Sequence, residues 1–395
     1  MTAKELLGNP DYPAISYGGY RANTRDIQPT VAQIKEDMKI LFAMGVRFIR
    51  TYNVQLPHAL NTLRAIRELK NEQADFEMYV MLGAWIDCKN AWTDKPVNHF
   101  EESEQNADEI LRAVTLANNF SDIVKVIAVG NEAMVKWATL YYVQPSVILK
   151  WVNHLQELKR EGHIPADLWI TSSDNFASWG GGSHEYHCDD LTALIQAVDY
   201  ISVHTYPMHD THYHPIFWGT FSNDLEAEAV ERIERAMQRA CEYAIAQYQS
   251  VVSYITKLGI EKPVHIGETG WASKSNDLYG PTGSRATDEY KQARFYHLIR
   301  EWSTKNRVSC FYFQAFDEPW KDKHNPHGSE NFFGLFTVTG QAKFALWELV
   351  DQGVFAGLDR DQNSIEKTYQ GNKENLLIDV MAPPMREGEP QKNYV

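Results

Sequence analysis

Eight short apolar runs recur along the chain, separated by polar segments with a helical stripe. They lie near Ala14–Tyr17, Val46–Tyr52, Met78–Leu82, Val124–Val129, Leu168–Ser172, Tyr200–His204, Val264–Ile266 and Ser309–Phe313. Each is continuously apolar instead of alternating, which suits strands covered on both faces of a parallel sheet. Between them, Thr30 and Gln33 form a capping box, Val31, Ile34, Met38 and Leu41 make one apolar stripe, and Gly45 marks the stop. The span 224–258 contains no Gly or Pro and is charged on one face, so it predicts one long helix or two abutting ones.

Strand and helix alternating eight times predict an α/β fold of the (β/α)8 TIM-barrel type in a single domain. A doubly wound open sheet is the competing topology, but no GxGxxG loop follows any of the runs. Residues 1–361 are the expected barrel. Residues 362–395 are polar and read as an extension packing on it, with Leu376–Met381 set against the barrel floor and the last ten residues frayed.

In such barrels the chemistry sits at the C-terminal ends of the strands. Those ends here read Arg50-Thr51-Tyr52-Asn53, Gly83-Ala84-Trp85-Ile86-Asp87, Val129-Gly130-Asn131-Glu132, His204-Thr205-Tyr206-Pro207, Gly267-Glu268-Thr269-Gly270-Trp271 and Phe316-Asp317-Glu318-Pro319-Trp320-Lys321. Two carboxylates on separate strands are the minimum for cleaving a glycosidic bond: one protonates the leaving oxygen, and the other attacks the sugar or steadies its cation. Repulsion and partial burial would push their pKa values apart and give each a role. Rim tyrosines and tryptophans suit the apolar faces of sugar rings.

The motifs VGNE (Val129–Glu132), GETGW (Gly267–Trp271) and FDEPWK (Phe316–Lys321), each at a strand end and in this order, resemble glycoside hydrolase family 17, which holds β-1,3-glucanases and related glucanosyltransferases. The resemblance runs from about Ala14 to about Leu349. It implies Glu132 as general acid/base, Glu268 as nucleophile, and Asn131 as the partner of the sugar 2-hydroxyl. It further implies Glu318 and Lys321 as an acidic and basic pair binding hydroxyls, and Tyr52 and Tyr206 as rim tyrosines. Pro319-Trp320 departs from the Asn usual in plant members, and Trp320 is expected to change a subsite floor. Trp85, Trp271 and His204 complete the expected substrate contacts.

The expected activity is therefore retaining, endo-acting cleavage of laminarin-type β-1,3-glucan. A glucanosyltransferase using the same carboxylates is the alternative, because acceptor subsites decide transfer. A non-catalytic glucan-binding barrel would lack one of the two acids.

Composition narrows the other classes. The net charge of −14 argues against nucleic acid, and no apolar run approaches the roughly 20 residues of a membrane span. Cys88, Cys188, Cys241 and Cys310 are scattered and read as free thiols. His204, His209, His212 and His214 cluster with Asp210 and raise a metal-dependent enzyme as a competitor, but their spacings fit no helix face, so neither metal nor cofactor is expected. The partner is a β-glucan chain, and a monomer is expected. The N-terminus carries no charged-then-apolar signal, so the mature protein is either cytoplasmic or has lost a leader. A polysaccharide substrate favours an extracellular or periplasmic site.

Overall fold

The computed structural model of the chain describes residues 1–391. All eight apolar runs are strands: β1 (Ala14–Ser16), β2 (Phe48–Arg50), β3 (Tyr79–Ala84), β4 (Val124–Asn131), β5 (Trp169–Asn175), β6 (Ile201–His204), β7 (Val264–Gly270) and β8 (Cys310–Phe313). Neighbouring strands are parallel, and Ile15 pairs with Tyr312 to close the barrel between β1 and β8. The helices α1 (Val31–Ala43), α2 (Pro57–Glu72), α3 (Gln105–Asn119), α4 (Pro145–Arg160), α5 (Asp189–Ala197), α6 (Ala229–Lys257) and α7 (Glu289–Lys305) follow β1 to β7 in turn.

Local signals fix the helix ends. Thr30 accepts the Gln33 N–H and Gln33 returns a bond to the Thr30 backbone, so α1 starts at Val31. The long helix begins later than residue 224. Asp224 instead accepts the Phe221 N–H and pairs with Arg235 and Arg239, closing a short 3₁₀ turn before α6.

Both faces of each strand are buried, and alternate residues serve different neighbours. Ile49, Val80, Leu82, Ile127, Val129, Ile170, Val203 and Ile266 join the main apolar cluster of the molecule. Phe48, Met81, Val126, Ala128, Tyr200 and Phe311 form a second cluster inside the barrel. Ala3, Leu6 and Leu7 of the N-terminal turn join that inner cluster and close the floor. The stretch Leu376–Met381 does not supply this plug: Leu376 is buried, but Ile378 is 74% exposed. The C-terminal segment instead runs beside the β6–α6 connection, where Thr220 N–H donates to Pro384 O at 2.8 Å and Arg386 N–H donates to Thr220 O at 2.9 Å. Of the last ten residues, expected to fray, 386–391 keep contacts with the barrel, Gln391 N–H donating to Ile216 O at 3.3 Å, and 392–395 lie outside the described residues.

One layer higher the barrel interior turns polar, with Ser16, Arg50, Ser173, Ser202 and His204 all buried. Gly267 belongs to this layer for a steric reason. A Cβ there would lie 1.9 Å from Ser202 Oγ and 2.5 Å from Ser173 Oγ, which are themselves hydrogen-bonded at 2.8 Å. Gly267→Ala should cost about 1–3 kcal/mol, the usual range for overpacking a filled interior. Urea unfolding of the variant measures the loss, and wild-type stability would disprove the steric account.

Candidate active site

The end of β4 carries the first carboxylate. Glu132 takes a left-handed backbone with φ +46°, a conformation costing a non-glycine residue about 1–3 kcal/mol. The end of β5 holds it there. Glu132 N–H donates to Ser173 O at 3.0 Å, and the Asp174 carboxylate accepts the Met134 N–H at 2.7 Å. Asp174 is fully buried; that burial, with Glu132 adding its charge against the Met134 bond, pushes its carboxyl up to about 7.

The second carboxylate, Glu268 on β7, is nearly buried and held by three donors. Arg50 Nη1 lies 2.8 Å and Tyr52 Oη 2.7 Å from its Oε2, while Tyr206 Oη lies 2.5 Å from its Oε1. Burial alone would raise its pKa. The Arg50 guanidinium and the hydroxyls of Tyr206 and Tyr52 outweigh burial and hold it below the ordinary carboxylate value. Glu268 is thus built to be an anion.

His204 and Arg50 connect the two acids. His204 Nδ1 is 3.1 Å from Glu132 Oε1, and Nε2 is 2.8 Å from Ser173 Oγ and 3.2 Å from Arg50 Nη1. With a guanidinium facing Nε2, that nitrogen is the acceptor, and the hydrogen-bond network assigns the ring hydrogen to Nδ1, facing Glu132. Arg50 also donates to Gly267 O at 2.7 Å and to Asn131 Oδ1 at 2.5 Å.

Above this assembly lies a cavity of about 1,550 Å³. Asn131, Tyr52, Tyr206, Trp85, Glu318, Trp320 and Lys321 line it together with Glu132 and Glu268. Glu318 is buried and accepts the Tyr20 N–H at 3.2 Å. Gly18 makes this approach possible, since a Cβ on it would fall 2.0 Å from Glu318 Oε1. Burial raises the Glu318 pKa, against the opposing charge of Lys321. Lys321 sits with its ammonium 4.2 Å over the Phe313 ring, and the Arg25 guanidinium covers Trp320 at 4.4 Å.

Two expected substrate contacts lie elsewhere. Trp271 is fully buried against Trp218 and Phe295, with Nε1 donating to Ala286 O, so it is a core residue behind the site. His204 is also fully buried and does not line the cavity; it lies beneath Glu132, in contact with that carboxylate. The histidine-rich stretch is dispersed: His209 faces Glu330 at 3.6 Å and His214 faces Asp210 at 3.0 Å. Among the described residues, no group of three or more His, Cys, Asp and Glu is placed to hold a metal ion. All four cysteines are free thiols, and among the described residues no helix is long and apolar enough to cross a membrane.

Sequence reasoning missed Arg50, although a signal existed. A cation one residue beyond Phe48-Ile49 in a buried strand needs a buried anion to pair with. It also missed Trp92, Trp137 and Tyr20 on the cavity wall, because loop residues carry no strand-end signature.

Residues 14–334 match the BtgE/BtgC glycoside hydrolase domain. An endo-laminarinase from Formosa Hel1_33_131 is 66% identical, with a TM-score of 0.98 over 99% of this chain and 100% of that one. A putative glucan endo-1,3-beta-glucosidase of Aspergillus niger is 22% identical over 76% of this chain, which spans only 37% of that protein's length. A family 17 β-1,3-glucanosyltransferase from Rhizomucor miehei, 20% identical over 85% of this chain and 96% of that one with a TM-score of 0.57, shares the fold.

The tyrosine hydroxyls generate a pH prediction. Each stabilises ionised Glu268, so removing one raises its pKa and moves the acid limb of kcat/KM to higher pH. Tyr52→Phe and Tyr206→Phe should both do this, with about a tenfold loss at neutral pH for a hydrogen bond to a charged group. A pH–rate profile on a β-glucan reads both effects, and an unmoved acid limb would remove the tyrosines from this role.

Proposed function

Since the chain belongs to the BtgE/BtgC glycoside hydrolase family, we propose that it is a retaining endo-β-1,3-glucanase of laminarin-type glucan, placed more finely in glycoside hydrolase family 17. One observation carries this reading: the 66% identity to an endo-laminarinase extends over 99% of the chain. The paired carboxylates give the reading a mechanism.

Glu268 is the nucleophile, because Arg50, Tyr52 and Tyr206 keep it ionised and aimed. Its carboxylate attacks the anomeric carbon as the glycosidic bond breaks, and Glu132 gives its proton to the leaving oxygen. Glu132, now a carboxylate accepting the His204 Nδ1–H, then takes a proton from water, which displaces Glu268 and releases the sugar with its original configuration. Asn131, fixed by Arg50, offers its amide to the 2-hydroxyl. Glu318, Lys321 and Trp320 bind neighbouring hydroxyls and ring faces. No step requires a metal or cofactor.

Residues 1–361 act as the catalytic unit, with 362–395 as a C-terminal extension whose described part, to residue 391, packs on it. The enzyme works as a monomer on glucan outside the cytoplasm.

Glu268→Gln should lower turnover of laminarin by at least about a thousandfold, the scale set by removal of a covalent nucleophile. Glu132→Ala should regain rate with added azide, forming the β-glucosyl azide. Proton NMR of the first wild-type products should show β-anomers and a ladder of oligosaccharides from laminarihexaose. Initial α-anomers would exclude the retaining mechanism, and products longer than the hexaose would make it a transferase.

A further inference from the structure

Two tryptophans of the chain are more than half exposed, Trp92 at 59% and Trp137 at 62%, and both line the catalytic cavity. An exposed indole on an open surface needs no explanation, but two confined to the wall of one cavity do. Trp92 sits on the hairpin formed by Cys88–Lys89 and Asn98–Glu102, between β3 and α3. Its backbone is left-handed, with φ +62°, a conformation a bulky side chain rarely adopts.

The ring is held in place from behind. Trp92 stacks on Tyr141 with centroids 5.2 Å apart and planes 20° from parallel, and Tyr141 in turn packs on Trp85 at 5.3 Å. Asp87 Oδ1 accepts both indole N–H groups, from Trp85 at 2.6 Å and from Trp92 at 3.2 Å. Tyr141 is anchored by its carbonyl, which accepts the Cys88 N–H at 3.0 Å. One face of Trp92 is thus spent on Tyr141 and its only polar group on Asp87, which leaves a rigid apolar face toward the cavity. The cavity exceeds the about 300–1,000 Å³ typical of small-ligand pockets and accommodates several sugar rings.

We infer that Trp92, backed by Tyr141 and tied by Asp87, is a preorganised platform for an uncharged glucosyl ring beyond those flanking the scissile bond. This rests on the glucanase reading. Rigidity matters because a ring already fixed loses little rotamer freedom when the sugar lands on it. The platform makes cleavage depend on chain length, and Trp137 provides a second indole on the loop after β4.

The test compares kcat/KM on laminaritriose through laminariheptaose for wild type, Trp92→Ala and Trp92→Leu. Leucine fills space against Tyr141 without an aromatic face, so it keeps the test valid if alanine destabilises the hairpin. Both variants should lose about tenfold on the heptasaccharide, the scale of one lost aromatic contact, and less than about twofold on the trisaccharide. An equal loss at every length, or none at any length, overturns the platform while leaving the glucanase reading intact. If wild type cleaves no member of the series, the glucanase reading itself fails and takes this inference with it.

Discussion

A guanidinium and a carboxylate buried together inside the barrel set the terms for the rest of the site. Arg50 and Glu268 meet at 2.8 Å with their side chains only 1% and 8% exposed. Desolvating two charges costs several kcal/mol each, and their attraction compensates only where every remaining donor and acceptor finds a partner. The polar layer supplies most of those partners, leaving Arg50 Nε as the one polar atom of the pair without one among the described residues. Gly267 O and Asn131 Oδ1 take further Arg50 hydrogens, Tyr52 and Tyr206 take the remaining lone pairs of Glu268, and Ser173 satisfies His204. Neutralising Glu268 would leave Arg50 buried without its anion, so the same network that makes the pair tolerable also keeps the carboxylate ionised.

That constraint explains the division of the barrel into an apolar floor and a polar upper layer. Phe48 and Arg50 lie two residues apart on one strand and point to the same side, one into the sealed inner cluster and the other into the hydrogen-bonded layer. The floor excludes water with carbon, using Ala3, Leu6 and Leu7 as its plug. The upper layer fills the same cylinder with serine hydroxyls and an imidazole, which leaves no room for a Cβ at residue 267. The two acids differ because their supports differ. Glu268 rests on three direct donors, whereas Glu132 sits on a strained turn steered by β5 and contacts a single imidazole.

The walls of the cavity follow another logic. They come from loops, where aromatic rings are fixed by one another and by single charged groups: Trp85 and Trp92 by the Asp87 carboxylate, His209 by that of Glu330, Trp320 by the Arg25 guanidinium. His209 shows the balance well. Burial disfavours its charged form, yet Glu330 beside it turns the net shift upward.

Within the sequence alone, the eight strands, the closed (β/α)8 order and the strand-end placement of Glu132 and Glu268 were already determined. All three follow from local patterns: apolar runs of strand length, helix caps such as Thr30–Gln33, and acids placed directly after buried segments. The tertiary structure alone decided which polar residues serve the site from within. His204 and Trp271 looked like rim residues because they stand next to strand ends, but the twist and register of the barrel turn one beneath Glu132 and the other into the core. Arg50 became the hub, and Trp92 joined the cleft wall, through contacts spanning 218 residues in one case and the packing of two separate loops in the other. Such contacts leave no periodic trace in a sequence, because which residues meet across a barrel depends on its closure.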